Sequence, residues 1–130
     1  MLEAVEAETE GIRISVSSRY VEEESQPDQG RWVFTYEVTI ANESPHPARL
    51  LSRHWIIRDA FGRGEEVRGE GVVGQSPRIE PGDSFTYASW CPLPTDFGSM
   101  RGSYRMRRDD DTEFDAAIPA FPLAAPSVLN

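Results

Sequence analysis

The 130-residue chain has no lysine, and all 13 of its basic residues are arginine. Arginine's planar guanidinium suits carboxylates and phosphates, although genomic base composition produces the same bias. The single cysteine, Cys91, excludes an internal disulfide and fits a reducing compartment. Set in an apolar, strand-like run, it reads as a small core residue rather than a nucleophile. With only two histidines, His46 and His54, the chain is too poor for a zinc site unless carboxylates complete the shell. No apolar run reaches the ~18 residues a membrane helix needs. The opening "MLEAVEAETEG" carries acids where a secretory signal carries positive charge. These absences predict a cytoplasmic chain with no membrane partner.

What is abundant is negative charge. A formal net charge of -9 argues against a nucleic-acid partner, because that function rests on neutralising phosphates with a basic surface. The acids crowd at Glu3, Glu6, Glu8 and Glu10, at Glu22 to Glu24, and at Asp109 to Asp111. The last cluster lacks the spaced ligands of a calcium loop and reads as a solvated hairpin turn. Between positions 49 and 78 the balance reverses, with Arg49, Arg53, Arg58, Arg63, Arg68 and Arg78 facing Asp59, Glu65, Glu66 and Glu70.

A sustained helical period is missing too. Residues 1–10 are polar and weakly patterned and predict a frayed leader, with 11–130 as a single domain. From Ile12 the residues Ile14, Val16 and Tyr20 fall on one face. In the clearest strand, Trp32, Phe34, Tyr36, Val38 and Ile40 alternate with Thr35, Glu37 and Thr39. Further strands are predicted in "ARLLSRHWIIRD", "SFTYASW", the alternation of Met100, Gly102, Tyr104 and Met106, and "EFDAAIPAFPL", which Pro119 confines to an edge or an end. Turn signals recur about every 8 to 12 residues, the pattern of an all-β antiparallel sandwich of about seven strands, immunoglobulin-like or fibronectin type III-like.

One short stretch suggests chemistry. In "GEGVVG" the residues Gly69, Gly71 and Gly74 fall in a G-x-G-x-x-G pattern. A dinucleotide site requires a helix immediately after the glycines, whose amides hold the pyrophosphate. Here "QSPRIEPGD" follows, and Pro77 and Pro81 break any such helix. The glycines then serve positive backbone angles or close approach at a bend or bulge, or form a nest of amides for an anion beside the local arginines. No serine lies in a G-x-S-x-G elbow, so no catalytic constellation is present.

The stretches "SRHWIIRDAFGR", "EVRGEGVVGQSPRIEPGDSFTYASWCPL", "GSMRGSYRM" and "FDAAIPAFPLAAP", in this order and spacing, resemble the bacterial ApaG family over nearly the whole chain. The resemblance implies a fibronectin type III or immunoglobulin-like sandwich. Related domains in eukaryotic F-box proteins and in a polymerase-interacting protein imply a module that binds other proteins. The family name is also linked to diadenosine polyphosphate metabolism and to cobalt and magnesium efflux; a chain that cannot span a membrane would affect cations only indirectly. The sequence departs from the family pattern at Trp90, where a small residue is common, and at "TDFG", where a proline often stands.

Together these features predict a non-enzymatic protein-interaction or regulatory module with no cofactor and no metal. Contact residues are expected among Arg53, Trp55, Arg68, Trp90 and Phe97, because arginine and aromatics dominate interface energetics. Trp55 has a core position as its rival reading, and Phe97 a loop plug. The alternative function is a sensor that binds a pyrophosphate or nucleotide polyphosphate at the glycine segment. Exposed edge strands also allow a homodimer.

Overall fold

Alternation of apolar and polar residues produces strands almost throughout. The computed structural model describes residues 3–129. The strands are β1 (Val5–Thr9), β2 (Ile12–Tyr20), β3 (Trp32–Asn42), β4 (Ala48–Asp59), β5 (Gly64–Glu70), β6 (Arg78–Ile79), β7 (Ser84–Leu93), β8 (Phe97–Arg108) and β9 (Glu113–Ala124). One α-helical turn, α1, covers Pro126–Leu129. All pairings are antiparallel. One sheet has the order β1-β2-β3-β7; the other has the order β5-β4-β8-β9, with β6 also on β4. The two sheets pack face to face as a sandwich.

In β2, β3 and β8 the inward faces are the ones the alternation predicts. Ile12, Ile14 and Val16 of β2, Phe34, Val38 and Ile40 of β3, and Met100, Tyr104 and Met106 of β8 are buried in one core. Trp55 sits at its centre, with ring centroids 5.2 Å from Tyr36 and 6.0 Å from Phe121. Burying each such side chain stabilises the fold by about 1.5 to 3 kcal/mol.

Among the described residues nine strands form, against the expected seven or so, and two differences matter. The expected frayed leader is a strand over Val5–Thr9, paired with β2 from Val5↔Val16 to Thr9↔Ile12. Its alternation is hidden by Glu6 and Glu8 on the solvent side, while Val5, Ala7 and Thr9 turn partly inward. Positions 1 and 2 of that leader lie outside the described residues. The second difference is that β5 and β6 form along the glycine-rich region, whose sequence shows no clear strand alternation.

The two sides of the sandwich differ. On one, β1 packs beside β9, and the Thr9 hydroxyl accepts a hydrogen bond from the Ala117 amide at 3.2 Å. Ser18, buried in β2, donates to the Pro122 carbonyl of β9 at 2.7 Å and ties the sheets together there. On the other side β5 and β7 end their sheets, and neither pairs with a further strand among the described residues.

Candidate interaction edge and the glycine segment

The glycine segment is an interruption in an edge strand. β5 runs antiparallel to β4 as far as Ser52↔Glu70, and the Gly71 amide extends the ladder by donating to the Leu51 carbonyl at 2.9 Å. The chain then leaves β4 and returns where the Leu50 amide donates to the Pro77 carbonyl at 3.0 Å, and β6 resumes with Arg49↔Arg78. The excursion closes as a tight hairpin. Val72 and Gln75 exchange both amide-to-carbonyl bonds at 2.8 Å across Val73 and Gly74, whose φ values are 44° and 79°. Positive φ at both central residues is the mark of a type I′ turn. Val72, fully buried at 0% exposure, anchors the excursion in the core.

Each glycine of the motif therefore has a distinct reason. Gly71 has φ 61°, and a Cβ there would lie 2.3 Å from the Gln75 carbonyl oxygen. Gly74 has φ 79° and open space around it. Gly69 pairs with Arg53 across the ladder, and a Cβ on it would lie 2.6 Å from the Arg53 guanidinium. The missing side chain lets that guanidinium fold over the strand, where Nη1 donates to the Glu70 and Gly71 carbonyls, each at 2.9 Å. After Gly74 the chain continues through a bridge and β6 into a turn with no helix. The amides of Gly71, Val72 and Gln75 are thus engaged within the protein.

The expected contact residues separate. Arg53 is a brace for the excursion. Trp55 takes the core position that was its rival reading and not the contact one, 3% exposed, because the bulge at Leu51 shifts β4 so that odd positions after it face inward opposite Tyr104 and Gly102. Arg68 is exposed on β5 and pairs with Glu66 at 3.4 Å. Glu66 also receives the His54 imidazole at 3.2 Å, and together the imidazole and guanidinium hold its carboxyl below the usual carboxylate range. Trp90 projects from β7 and is 57% exposed; Phe97, 44% exposed, opens β8.

Behind the open side lies a layer of buried phenols. The Tyr87 and Tyr104 hydroxyls are 2.5 Å apart, and burial raises the pKa values of both and of Tyr36. Burial likewise pushes the Cys91 thiol up to about 12. These groups stay protonated and neutral near pH 7, so none is poised as a nucleophile or base. His54 and His46 lie on β4 and in the β3–β4 connection, and no group of three or more His, Cys, Asp or Glu residues that could hold a metal occurs among the described residues. No helix among them is long and apolar enough to cross a membrane.

An exposed aromatic escaped the sequence reading. Phe61, 75% exposed, tips the β4–β5 hairpin, whose turn is fixed by the Asp59 carboxylate accepting from the Phe61 and Arg63 amides. The signal was an aromatic placed inside "AFGRG", a turn with no strand to bury it. Thr95 ties this hairpin to the β7–β8 loop, accepting from the Ala60 amide at 3.0 Å and donating to the Phe97 carbonyl at 2.7 Å. Phe61 and Phe97 therefore share one end of the sandwich.

The chain is an all-β, two-sheet antiparallel sandwich with a glycine-bulged edge. A family model, the ApaG domain, matches residues 22–108. The chain is 55% identical over 124 residues to Protein ApaG of Anaeromyxobacter dehalogenans, covering 95% of this chain and 98% of that one. It is 54% identical over 119 residues to Protein ApaG of Pseudomonas aeruginosa, covering 92% and 94% respectively. The crystal structure of a Bordetella pertussis protein that carries the name ApaA is similar at a TM-score of 0.87 and 50% identity, covering 88% of this chain and 94% of that one. The chain belongs to the ApaG family.

Proposed function

We propose that this ApaG-family chain is a non-enzymatic interaction module that engages a partner protein by strand addition along β7, with Trp90 as the anchoring side chain. The observation that carries this reading is the composition of β7. It is a ten-residue edge strand, Ser84–Leu93, without one charged residue. Exposed edges are ordinarily blunted by short length, charge or proline, because unpaired backbone groups recruit other strands. The other edges follow that rule: β1 has five residues with Glu6 and Glu8, β5 carries Glu65, Glu66, Arg68 and Glu70, and β9 carries Glu113, Asp115, Pro119 and Pro122. β7 is long and uncharged, bears an exposed tryptophan and has a proline only near its end at Pro92. Main-chain pairing would supply affinity and a pocket for Trp90 would supply specificity.

The geometry favours this over a pyrophosphate or nucleotide-polyphosphate sensor at Gly69, Gly71 and Gly74, since three amides of that segment and the Nη1 donor of Arg53 already have partners. The test is a photo-crosslinking residue at exposed Ala88 on β7, compared in native cells with the same residue at exposed Ala117 on β9. One protein captured from Ala88 and not from Ala117, and lost in Trp90→Arg, supports the reading; identical capture at both positions refutes it. Capture of a second copy makes the partner a homodimer mate.

A further inference from the structure

The end of the sandwich bearing the β2–β3 connection holds a cleft of about 660 Å³, lined among others by Tyr20, Glu22, Pro27, Trp32, Asp96 and Pro126. Its walls are built. The β2–β3 connection contains two single-turn 3-10 helices, Glu22–Glu24 and Pro27–Gln29. They are braced by Ser25, whose hydroxyl donates to the Val21 carbonyl at 2.7 Å and accepts from the Val33 amide at 2.8 Å. The opposite wall is fixed where the Ala125 amide donates to the Asp96 carbonyl at 2.9 Å. The aromatic lining is fixed as well. Tyr20 packs edge-on against buried Phe34 at 5.5 Å, and Trp32 pairs with Leu93 across the β3–β7 ladder.

The chemistry of the cleft is one-sided. Tyr20 and Trp32 are only partly buried. Both charged residues in the lining, Glu22 and Asp96, are acids. Glu23, Glu24 and Asp28 are exposed on the same connection, where Arg31 is the only base. An aromatic surface rimmed by carboxylates attracts a cation, which gains from the negative ring face and from the charge of the rim.

We propose that this cleft binds an arginine or lysine side chain of a basic, extended segment of another protein, with Trp32 and Tyr20 against the cation and Glu22 and Asp96 as its counter-charges. Arg53, Arg68 and the glycine segment take no part, and the cleft is separate from Trp90, so this inference stands or falls independently of strand addition to β7.

The test follows indole N–H signals in nitrogen-15 spectra of the whole chain, where Trp32, Trp55 and Trp90 report separately. Blocked tetra-arginine is titrated as the probe against blocked tetra-glutamine of equal length. The expected result is a saturable shift of the Trp32 indole signal with tetra-arginine, no such shift with tetra-glutamine, and stationary Trp55 and Trp90 signals. The double variant Glu22→Gln, Asp96→Asn should weaken the apparent affinity by about tenfold, the scale of a partly desolvated cation contact, while Glu6→Gln, Glu8→Gln on β1 leaves it unchanged. Three outcomes overturn the proposal: no Trp32 shift at millimolar tetra-arginine, an equal shift with tetra-glutamine, or equal weakening by the β1 variant, which would reduce the effect to the chain's overall negative charge.

Discussion

Replacing Gly71 by alanine tests whether the glycine motif serves the fold or a ligand. The backbone at Gly71 has φ 61°, where an L side chain costs roughly 1 to 2 kcal/mol. A second cost comes from space, since the new Cβ would lie 2.3 Å from the Gln75 carbonyl oxygen and 3.0 Å from its carbon. Those are backbone atoms locked by the reciprocal Val72–Gln75 bonds, so relief requires the turn to shift. Shifting it strains the Gly71 amide bond to Leu51, worth about 0.5 to 1.5 kcal/mol, and loosens Val72 from the core. The total is about 2 to 4 kcal/mol.

Two neighbouring glycines serve as internal controls. Gly74→Ala meets the same kind of backbone penalty at φ 79° in open space, and should cost only about 1 kcal/mol. Gly69→Ala meets the movable end of Arg53 and should cost about 1 kcal/mol through the displaced guanidinium bonds. Urea unfolding followed by tryptophan fluorescence separates the three. With a denaturant slope of roughly 1.5 to 2 kcal/mol per molar, Gly71→Ala should lower the midpoint by about 1 to 2.7 M, and each control by about 0.5 to 0.7 M. Equal losses at all three positions, or a loss below about 1 kcal/mol at Gly71, would refute the argument from the Gln75 carbonyl. Calorimetry of the wild type with pyrophosphate and diadenosine tetraphosphate completes the test. A Gly71→Ala chain of native stability that has lost a measurable heat of binding would make the segment an anion site after all.

Other substitutions read other parts of the structure. Trp55→Ala removes a ring packed on Tyr36, Tyr104 and Phe121 and should cost about 3 to 5 kcal/mol in the same urea assay. Trp90→Ala, at an exposed position, should change stability by less than about 0.5 kcal/mol while abolishing partner capture from β7. At high pH, Cys91 and the buried tyrosines are protonated in the folded chain at pH values where the unfolded chain ionises them. Their folded pKa values are raised, so stability is intact below about pH 8.5 and falls as pH rises from there through the folded Cys91 value of about 12. A urea midpoint that stays level across that window contradicts the burial argument, and Cys91→Ala should flatten its lower part.

Much of the fold was legible because alternation is a local property. Trp32 to Ile40 and Met100 to Met106 each show a period of two that no helix reproduces, and both strands face inward as that period requires. The pattern failed where register slips. At Leu51 one extra residue reverses the inward parity of β4, which is why Arg53 and Trp55 turn to the interior side and His54 to the solvent side. The bulge in β8–β9, between Met100 and Gly102, likewise absorbs Pro119, whose missing N–H would otherwise interrupt a ladder. At the candidate site, the breaking of a nucleotide helix by Pro77 and Pro81 was readable from residue type alone. The guanidinium folded over Gly69 was not, since it depends on which residue lies opposite across the ladder, and pairing is long-range information. The shared cleft of Tyr20 and Trp32 was hidden for the same reason, whereas the exposure of Phe61 was readable from its place in the turn "AFGRG".

The contrast between the two sides of the sandwich bears on why β7 is left open. Two packed sheets present four edges, and each is a hazard unless paired, covered or charged. On the β1–β9 side the edges protect one another, joined by the Thr9 and Ser18 hydrogen bonds. On the other side, β5 is guarded by its own charges and by an excursion at Val72–Gln75 that breaks its line before β6 resumes. An incoming strand therefore meets an irregular, charged edge on β5 and a regular, neutral one on β7. A charge at outward-facing Thr86, Ala88 or Trp90 would close β7 at little cost to stability, since all three are exposed. Ala88→Arg is thus the least disruptive way to ask whether the open edge is used. It should leave the urea midpoint within about 0.3 M of the wild type and remove the partner captured through β7, and retained capture would show that the partner binds elsewhere.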